Sequence, residues 1–319
     1  MTDNKILVTG SAGFIGYHLC KSLLNDNYDV LGIDNINDYY DVNLKKSRLN
    51  ELSKNKNFIF KKIDIIDKEK LSKSFKEFQP NIVVNLAAQA GVRYSIENPY
   101  AYMDSNLIGF LNIIELCRQL DTDGFIYASS SSVYGKNKKT PFSEEARVDS
   151  PMSLYAATKR SNELIAYSYS DLYKLKTTGL RFFTAYGPWG RPDMALFIFT
   201  KNILDKKPID VFNNGNMKRD FTYIDDIISG IRSAIDHNYK CEIFNIGNNR
   251  SEKLLDMISI IEKELNIKSI INFKSIQKGD VIESYSDIGK SAKMLGYKPL
   301  TSINKGIPLF IEWYKNYFL

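Results

Sequence analysis

The run Ile6-Leu7-Val8, followed at once by Gly10-Ser11-Ala12-Gly13-Phe14-Ile15-Gly16 and then by Leu19, Leu23 and Leu24, restricts this chain more than any other stretch. A short apolar run bounded by glycine reads as a buried strand, and leucines at helical spacing read as one face of a helix. A turn between them that excludes side chains lets backbone approach a pyrophosphate, and the helix start offers free N–H groups and a positive dipole end. The spacing Gly-x-x-Gly-x-x-Gly is one residue wider in its first gap than the commoner dinucleotide pattern. A second strand-like run, Tyr28-Asp29-Val30-Leu31-Gly32-Ile33, ends in Asp34. An acid there holds the ribose hydroxyls of NAD and repels the phosphate of NADP. The cofactor expected from these residues is NAD.

The pattern repeats. Strand-like runs at 6–9, 30–34, 58–63, 82–86, 125–129 and 177–183 are separated by helical stretches that include 68–78, 99–119 and the segment entered from Pro151 and Ser153. Strands separated by helices predict an α/β fold with a doubly wound, parallel (Rossmann) sheet. Ligands of such sheets lie at the carboxyl ends of the strands, which gathers Gly10, Asp34, Asp64, Ala87, Ala88, Gln89 and Ser129 to Ser132 around one crevice. After 183 the segments shorten and mix: helices near 195–204, 224–235, 254–265 and 304–317, with strands near 209–212 and 220–222. We expect residues 1–183 to be mainly the NAD-binding domain. Residues 184–319 should be mainly a smaller mixed α/β substrate-binding region, with parts near 224–250 returning to the first domain.

Bulk properties narrow the partners. The net charge of +6 is spread through Lys- and Asn-rich loops; it suits an anionic small substrate, and no dense basic block argues for nucleic acid. No apolar run reaches membrane-spanning length. Cys20, Cys117 and Cys241 are isolated and odd in number, which fits a reducing cytoplasm rather than a disulfide framework. Two histidines, His18 and His237, are too few for a histidine metal site, and none is expected.

Tyr155-Ala156-Ala157-Thr158-Lys159 supplies candidate chemistry. A free phenol, with a pKa near ~10, is a poor base at neutral pH. A lysine four residues on along a helix shares its face, and its ammonium is expected to favour the phenolate. Ser130, at the end of a predicted strand beside the nucleotide crevice, is the second candidate.

Together with Asn85-Leu86-Ala87-Ala88, Ser129 to Tyr134 and Phe221-Thr222-Tyr223-Ile224-Asp225-Asp226, these motifs resemble the extended short-chain dehydrogenase/reductase family over essentially the whole chain. Within it the chain looks most like the nucleotide-sugar 4-epimerases. Asp34 to Arg48, Gly190-Arg191-Pro192-Asp193-Met194-Ala195-Leu196-Phe197 and Gly215-Asn216-Met217-Lys218-Arg219-Asp220-Phe221 look like the UDP-glucuronate 4-epimerases. The resemblance implies a UDP-sugar substrate, bound NAD, and a homodimer formed through the helices near 99–119 and 153–172. It implies Tyr155, Lys159 and Ser130 as catalytic residues. Gly10, Gly13, Phe14, Ile15, Gly16, Asp34, Asn35, Asp64, Ile65, Leu86, Ala87, Ala88, Gln89, Asn106, Ser129, Tyr155, Lys159 and Phe182 would surround the cofactor. The substrate would meet Arg93, Ser131, Ser132, Thr184, Arg191, Ala195 and Leu196, with Phe212 at the uracil, Arg219 and Arg250 at the diphosphate and Asp280 at the ribose. Gln277-Lys278-Gly279-Asp280 lacks the arginine that many relatives carry before the glycine.

The implied reaction removes the proton of the sugar 4-hydroxyl and the C4 hydride, lets the 4-keto sugar swing over, and returns the hydride to its other face. Thr184 stands where many neutral-sugar epimerases have Asn, and a guanidinium such as Arg191 pairs well with a sugar carboxylate. UDP-glucose and UDP-N-acetylglucosamine are the competing substrates. Related dehydratases and decarboxylases carry an acid just before the Val-Tyr-Gly triplet; here Ser131-Ser132 precede Val133-Tyr134-Gly135, which argues against both. A non-catalytic NAD-binding regulator would be expected to lack Tyr155 or Lys159.

Overall fold

A computed structural model describes residues 4–276 and 281–319. Its centre is a seven-stranded sheet. The first six strands are β1 (Lys5–Thr9), β2 (Asp29–Asp34), β3 (Phe58–Lys62), β4 (Ile82–Asn85), β5 (Gly124–Ser130) and β6 (Thr177–Phe182), and the seventh is Cys241–Ile246. Their spatial order is Cys241–Ile246, β6, β5, β4, β1, β2, β3, and every pairing is parallel. The α-helices up to residue 173 are α1 (Phe14–Asn25), α2 (Val42–Leu52), α3 (Lys68–Phe78), α4 (Tyr94–Glu97), α5 (Pro99–Tyr102), α6 (Phe110–Gln119) and α7 (Leu154–Tyr173). The doubly wound parallel sheet read from the sequence is the fold.

Parallel strands covered on both faces must be apolar on both. Ile6, Val8, Val30, Val84, Ile126 and Leu180 face a core shared with α1 and the Ile224–His237 helix. Leu7, Leu31, Ile33, Val83, Phe125 and Tyr127 face a second core filled by α3, α6 and α7. The strand order reverses between β1 and β4, so the chain leaves the sheet in opposite directions there and opens a crevice at their carboxyl ends.

The smaller region is built from short pairings. Thr184–Tyr186 pairs with Phe221–Tyr223, Ile209–Phe212 with Ile271–Lys274, and Lys218–Arg219 lies between Glu252–Lys253 and Glu283–Ser284. Helices Ala195–Leu204, Leu254–Leu265 and Ile303–Phe318 complete it.

Several elements depart from the sequence reading, three of them in the larger sheet and its cover. The predicted 99–119 helix is broken into α5, a π-helical stretch Met103–Gly109, and α6. Helix α2 was not expected, because Lys45 and Arg48 are buried beside Leu44 and Leu49 and blur its apolar face. The Cys241–Ile246 strand was not expected either; it is an edge strand only partly covered at its start.

Candidate active site

The glycine turn is dictated by space. Gly10 has φ +73°, and a Cβ on it would come 2.8 Å from the Ala87 nitrogen. A Cβ on Gly16 would lie 2.0 Å from the Gly10 carbonyl oxygen, and one on Gly13 2.9 Å from the same atom. The Gly10 N–H donates to Ile33 O at 2.7 Å and Gly13 N–H to Gly10 O at 2.9 Å, which fold the turn flat against β2 and β4. Gly13 caps α1 without a side-chain hydrogen bond. The first-turn N–H groups of α1, which begins at Phe14 and Ile15, follow directly on a turn whose backbone packs too closely against Leu86 and Ala87 for any side chain at Gly10. The residues therefore fit a dinucleotide pyrophosphate.

Asp34 ends β2 and accepts from Ala12 N–H at 3.1 Å and Ile36 N–H at 2.8 Å. Burial pushes its carboxyl above the ordinary value, against the pull of those N–H groups and of Lys45 and Arg48. Asn35 donates to Asp64 at 2.8 Å, joining the ends of β2 and β3; Ile65, next along, is buried against Gly109. Beyond Leu86 the Ala87 N–H donates to Thr9 Oγ1 at 3.1 Å, and Ala88 follows in the same loop. The π-helical stretch turns the Asn106 side chain inward. Its Oδ1 accepts from Gln89 N–H at 2.8 Å, and its Nδ2 is 3.0 Å from both Gln89 O and Thr158 Oγ1. Single π-bulges commonly mark functional positions. Here the bulge ties the loop after β4 to α7.

Ser153 caps α7 by accepting from Ala156 N–H at 3.1 Å, which places Tyr155 in the first turn. The phenol is raised above its ordinary value by burial, while a hydrogen bond from Ser130 and the Arg191 charge pull it back. The Lys159 ammonium donates to Ala128 O at 2.7 Å. Burial lowers Lys159 to about 8, opposed by the Glu163 carboxylate. The ammonium is thus anchored on β5, the strand that ends in Ser130, four residues after Tyr155 on α7.

Glu163 was not singled out in the sequence. It is fully buried, accepts from Ser129 Oγ at 2.6 Å, and takes Arg181 Nε and Nη2 at 2.8 and 2.9 Å. The helical spacing Lys159 to Glu163 was the available signal. Phe182, at the end of β6, is buried on the same side of the sheet as Ile126 and Leu180.

The expected substrate residues lie on several separate elements. Ser131 and Ser132 begin a tight turn in which Ser132 Oγ lies 2.9 Å from Ser130 Oγ. Thr184 opens its strand with its N–H on Asp220 O at 3.0 Å. The Arg191 Nε donates to Asp193 at 2.9 Å. The guanidinium is 5.8 Å from the Tyr39 ring centre, and Tyr39 OH reaches Asp193 at 3.3 Å. Ala195 and Leu196 begin the next helix. The Arg93 guanidinium lies over the Phe212 ring at 5.2 Å, so two residues 119 apart in sequence meet. Arg219 donates to Lys218 O and Ile282 O at 2.9 and 3.2 Å, and Arg250 is exposed on the turn before Glu252–Lys253. Asp280, with the 277–280 departure, lies outside the described residues. The arginine turns are pinned by Asp220, a buried carboxylate that accepts from Asn248 N–H at 2.6 Å, Asn249 N–H at 3.1 Å and Ser286 Oγ at 2.6 Å.

Comparison with known proteins agrees with this geometry. Residues 6–247 match the NAD dependent epimerase/dehydratase family. The chain is 50% identical to the protein CapI of Staphylococcus aureus, over 98% of this chain and 99% of that one. It is 45% identical to UDP-glucuronate 4-epimerase 4 of Arabidopsis thaliana, over 98% of this chain and 76% of that one. A crystal structure of a UDP-glucuronic acid 4-epimerase from Bacillus cereus, in complex with UDP-glucuronic acid and NAD, superposes with a TM-score of 0.93 at 36% identity, covering 98% and 100% of the two chains.

Proposed function

The chain belongs to the NAD dependent epimerase/dehydratase family, and we propose from its site that it converts UDP-glucuronate to UDP-galacturonate by inverting C4. NAD-dependent epimerisation of a UDP-hexuronate is the activity of relatives that match along nearly the full chain. The observation that carries the reading is that Ser130, the last residue of β5, and the Arg191 charge both act on the Tyr155 phenol in the first turn of α7.

In this reading residues 1–183 mainly form the NAD domain, with the strand Cys241–Ile246 completing its sheet, and 184–319 mainly hold the UDP-sugar. The Gly10–Gly16 turn and α1 receive the pyrophosphate and Asp34 the adenosine ribose. NAD, when bound, takes up the C4 hydride and gives it back. Tyr155 accepts the proton of the sugar 4-hydroxyl and later returns it, while Ser130 holds that oxygen by hydrogen bond. General acid–base help of this kind is worth roughly 10²–10⁴-fold. Lys159, anchored on Ala128 O, favours the phenolate and holds the nicotinamide ribose. Thr184 and Arg191 receive the carboxylate, Phe212 and Arg93 flank the uracil, and Arg219 and Arg250 neutralise the diphosphate.

Between the two hydride transfers the sugar is a β-keto acid, which loses CO₂ readily. No carboxylate precedes Val133 to assist that loss, and an ion-paired carboxylate resists it. The chain is read as a cytoplasmic homodimer supplying a sugar for polysaccharide synthesis. None of the described helices is long and apolar enough to cross a membrane. Ile108, Leu111, Leu164 and Tyr167, on the neighbouring elements before and within α6 and α7, are 51%, 45%, 55% and 66% exposed, an apolar face suited to a second copy. Separate incubation with UDP-glucuronate, UDP-glucose and UDP-N-acetylglucosamine, followed by NMR of the products, tests the assignment. Epimerisation of the neutral sugars but not of UDP-glucuronate would overturn it.

A further inference from the structure

Arg48 of α2 is completely buried, and all its hydrogen bonds go to neutral oxygens. One terminal nitrogen donates to the Ala12 carbonyl inside the glycine turn at 2.8 Å and to Tyr40 OH at 2.7 Å. The other donates to the Trp189 carbonyl at 2.6 Å and the Gly190 carbonyl at 3.4 Å. The first pair belongs to the cofactor side of the crevice. The second belongs to the turn that carries Arg191, next in sequence to Gly190.

That turn is held from several sides. Gly187 has φ +144° and Trp189, which is not glycine, has φ +61°. A left-handed backbone at a bulky residue persists only where its surroundings fix it. His18 of α1 bonds Pro188 O at 2.9 Å, and Tyr17 packs on the Trp189 ring at 5.3 Å between centres. A guanidinium is planar and presents its donors in a rigid fork. Ala12 O and Trp189 O are therefore set relative to one another by a single stiff group.

We propose that Arg48 couples the two halves of the site: it passes the seating of NAD on the Gly10–Gly16 turn to the position of Arg191, and so to the grip on a substrate carboxylate. This rests on the assignment of Arg191 to the hexuronate carboxylate. Coupling between two binding sites is reciprocal, so a carboxylate held on Arg191 must tighten NAD by the same factor.

The test is the NAD dissociation constant of the full chain, measured calorimetrically alone, with saturating UDP and with saturating UDP-glucuronate. We expect UDP-glucuronate to tighten NAD at least about fivefold more than UDP does. In Arg48→Met and Arg48→Lys, neither of which can fork between both carbonyls, UDP-glucuronate and UDP should act within twofold of each other. Should both variants fail to fold, His18→Gln, which loosens the other tether of the turn, should at least halve the extra tightening. An undiminished difference in any folded Arg48 variant, or in His18→Gln if the Arg48 variants do not fold, overturns the coupling, as does a wild type in which UDP and UDP-glucuronate act alike. A wild type that binds UDP but not UDP-glucuronate overturns the hexuronate reading itself, and the coupling with it.

Discussion

The Lys159 ammonium is bonded to the Ala128 carbonyl at 2.7 Å, on the strand that ends in Ser130. Burial raises the Tyr155 phenol, and Ser130 and the Arg191 charge draw it back. Replacing Tyr155 by Phe should cut turnover by at least ~10²-fold while NAD still binds, as steady-state assay and cofactor titration would show.

Lys159 should set an alkaline limit on activity. Burial lowers it to about 8 against the pull of Glu163. The ammonium is complete below that pH and is lost as the pH rises through it, so kcat should decline above about pH 8. Glu163→Gln removes the carboxylate that raises Lys159, and the declining limb should move to lower pH. A pH profile of kcat for both proteins checks this; an unmoved limb would show that Lys159 titration does not govern it.

Arg191 should discriminate substrates. Arg191→Ala is expected to raise KM for UDP-glucuronate by about 10-fold or more, the worth of a charge-assisted hydrogen bond, and to change KM for UDP-glucose little. Parallel kinetics with both sugars decide it. Equal losses would remove the carboxylate from the account.

Gly16 should tolerate nothing larger. A methyl there would lie 2.0 Å from Gly10 O, a backbone atom that cannot swing aside. Gly16→Ala is expected to cost at least about 1–3 kcal/mol, as overpacking does, and to weaken NAD severely. Denaturant unfolding and cofactor titration would read both.

The apolar face of the α6 and α7 layer should carry the dimer. Leu164→Lys combined with Tyr167→Lys places two charges on residues now 55% and 66% exposed. Sedimentation should find dimers for the wild type and monomers for this variant. A dimer unaffected by both charges would place the interface elsewhere.

The sheet was legible because buried parallel strands leave continuous apolar runs between helical repeats, and the glycine turn because its spacing reflects a steric demand. Asp34 followed from its place at a strand end. Helix α2 was hidden by its own buried cations, and Arg48 with it: a charge in sequence reads as surface until its four oxygen partners are seen. The Arg93–Phe212 contact and the Asp193 partner of Arg191 depend on how distant loops meet, which no local pattern encodes. The helical spacing of Tyr155 and Lys159 was legible, but the Ala128 carbonyl that holds the ammonium lies on a strand that no local pattern ties to that helix.

The central claim is that one hydride leaves C4 and the same hydride returns to it. Incubating the protein with UDP-glucuronate deuterated at C4, and following deuterium by NMR and mass spectrometry, tests this most directly. The account predicts UDP-galacturonate with the label fully retained at C4 and no release of CO₂. Loss of the label to solvent, or a decarboxylated pentose as the main product, would contradict it.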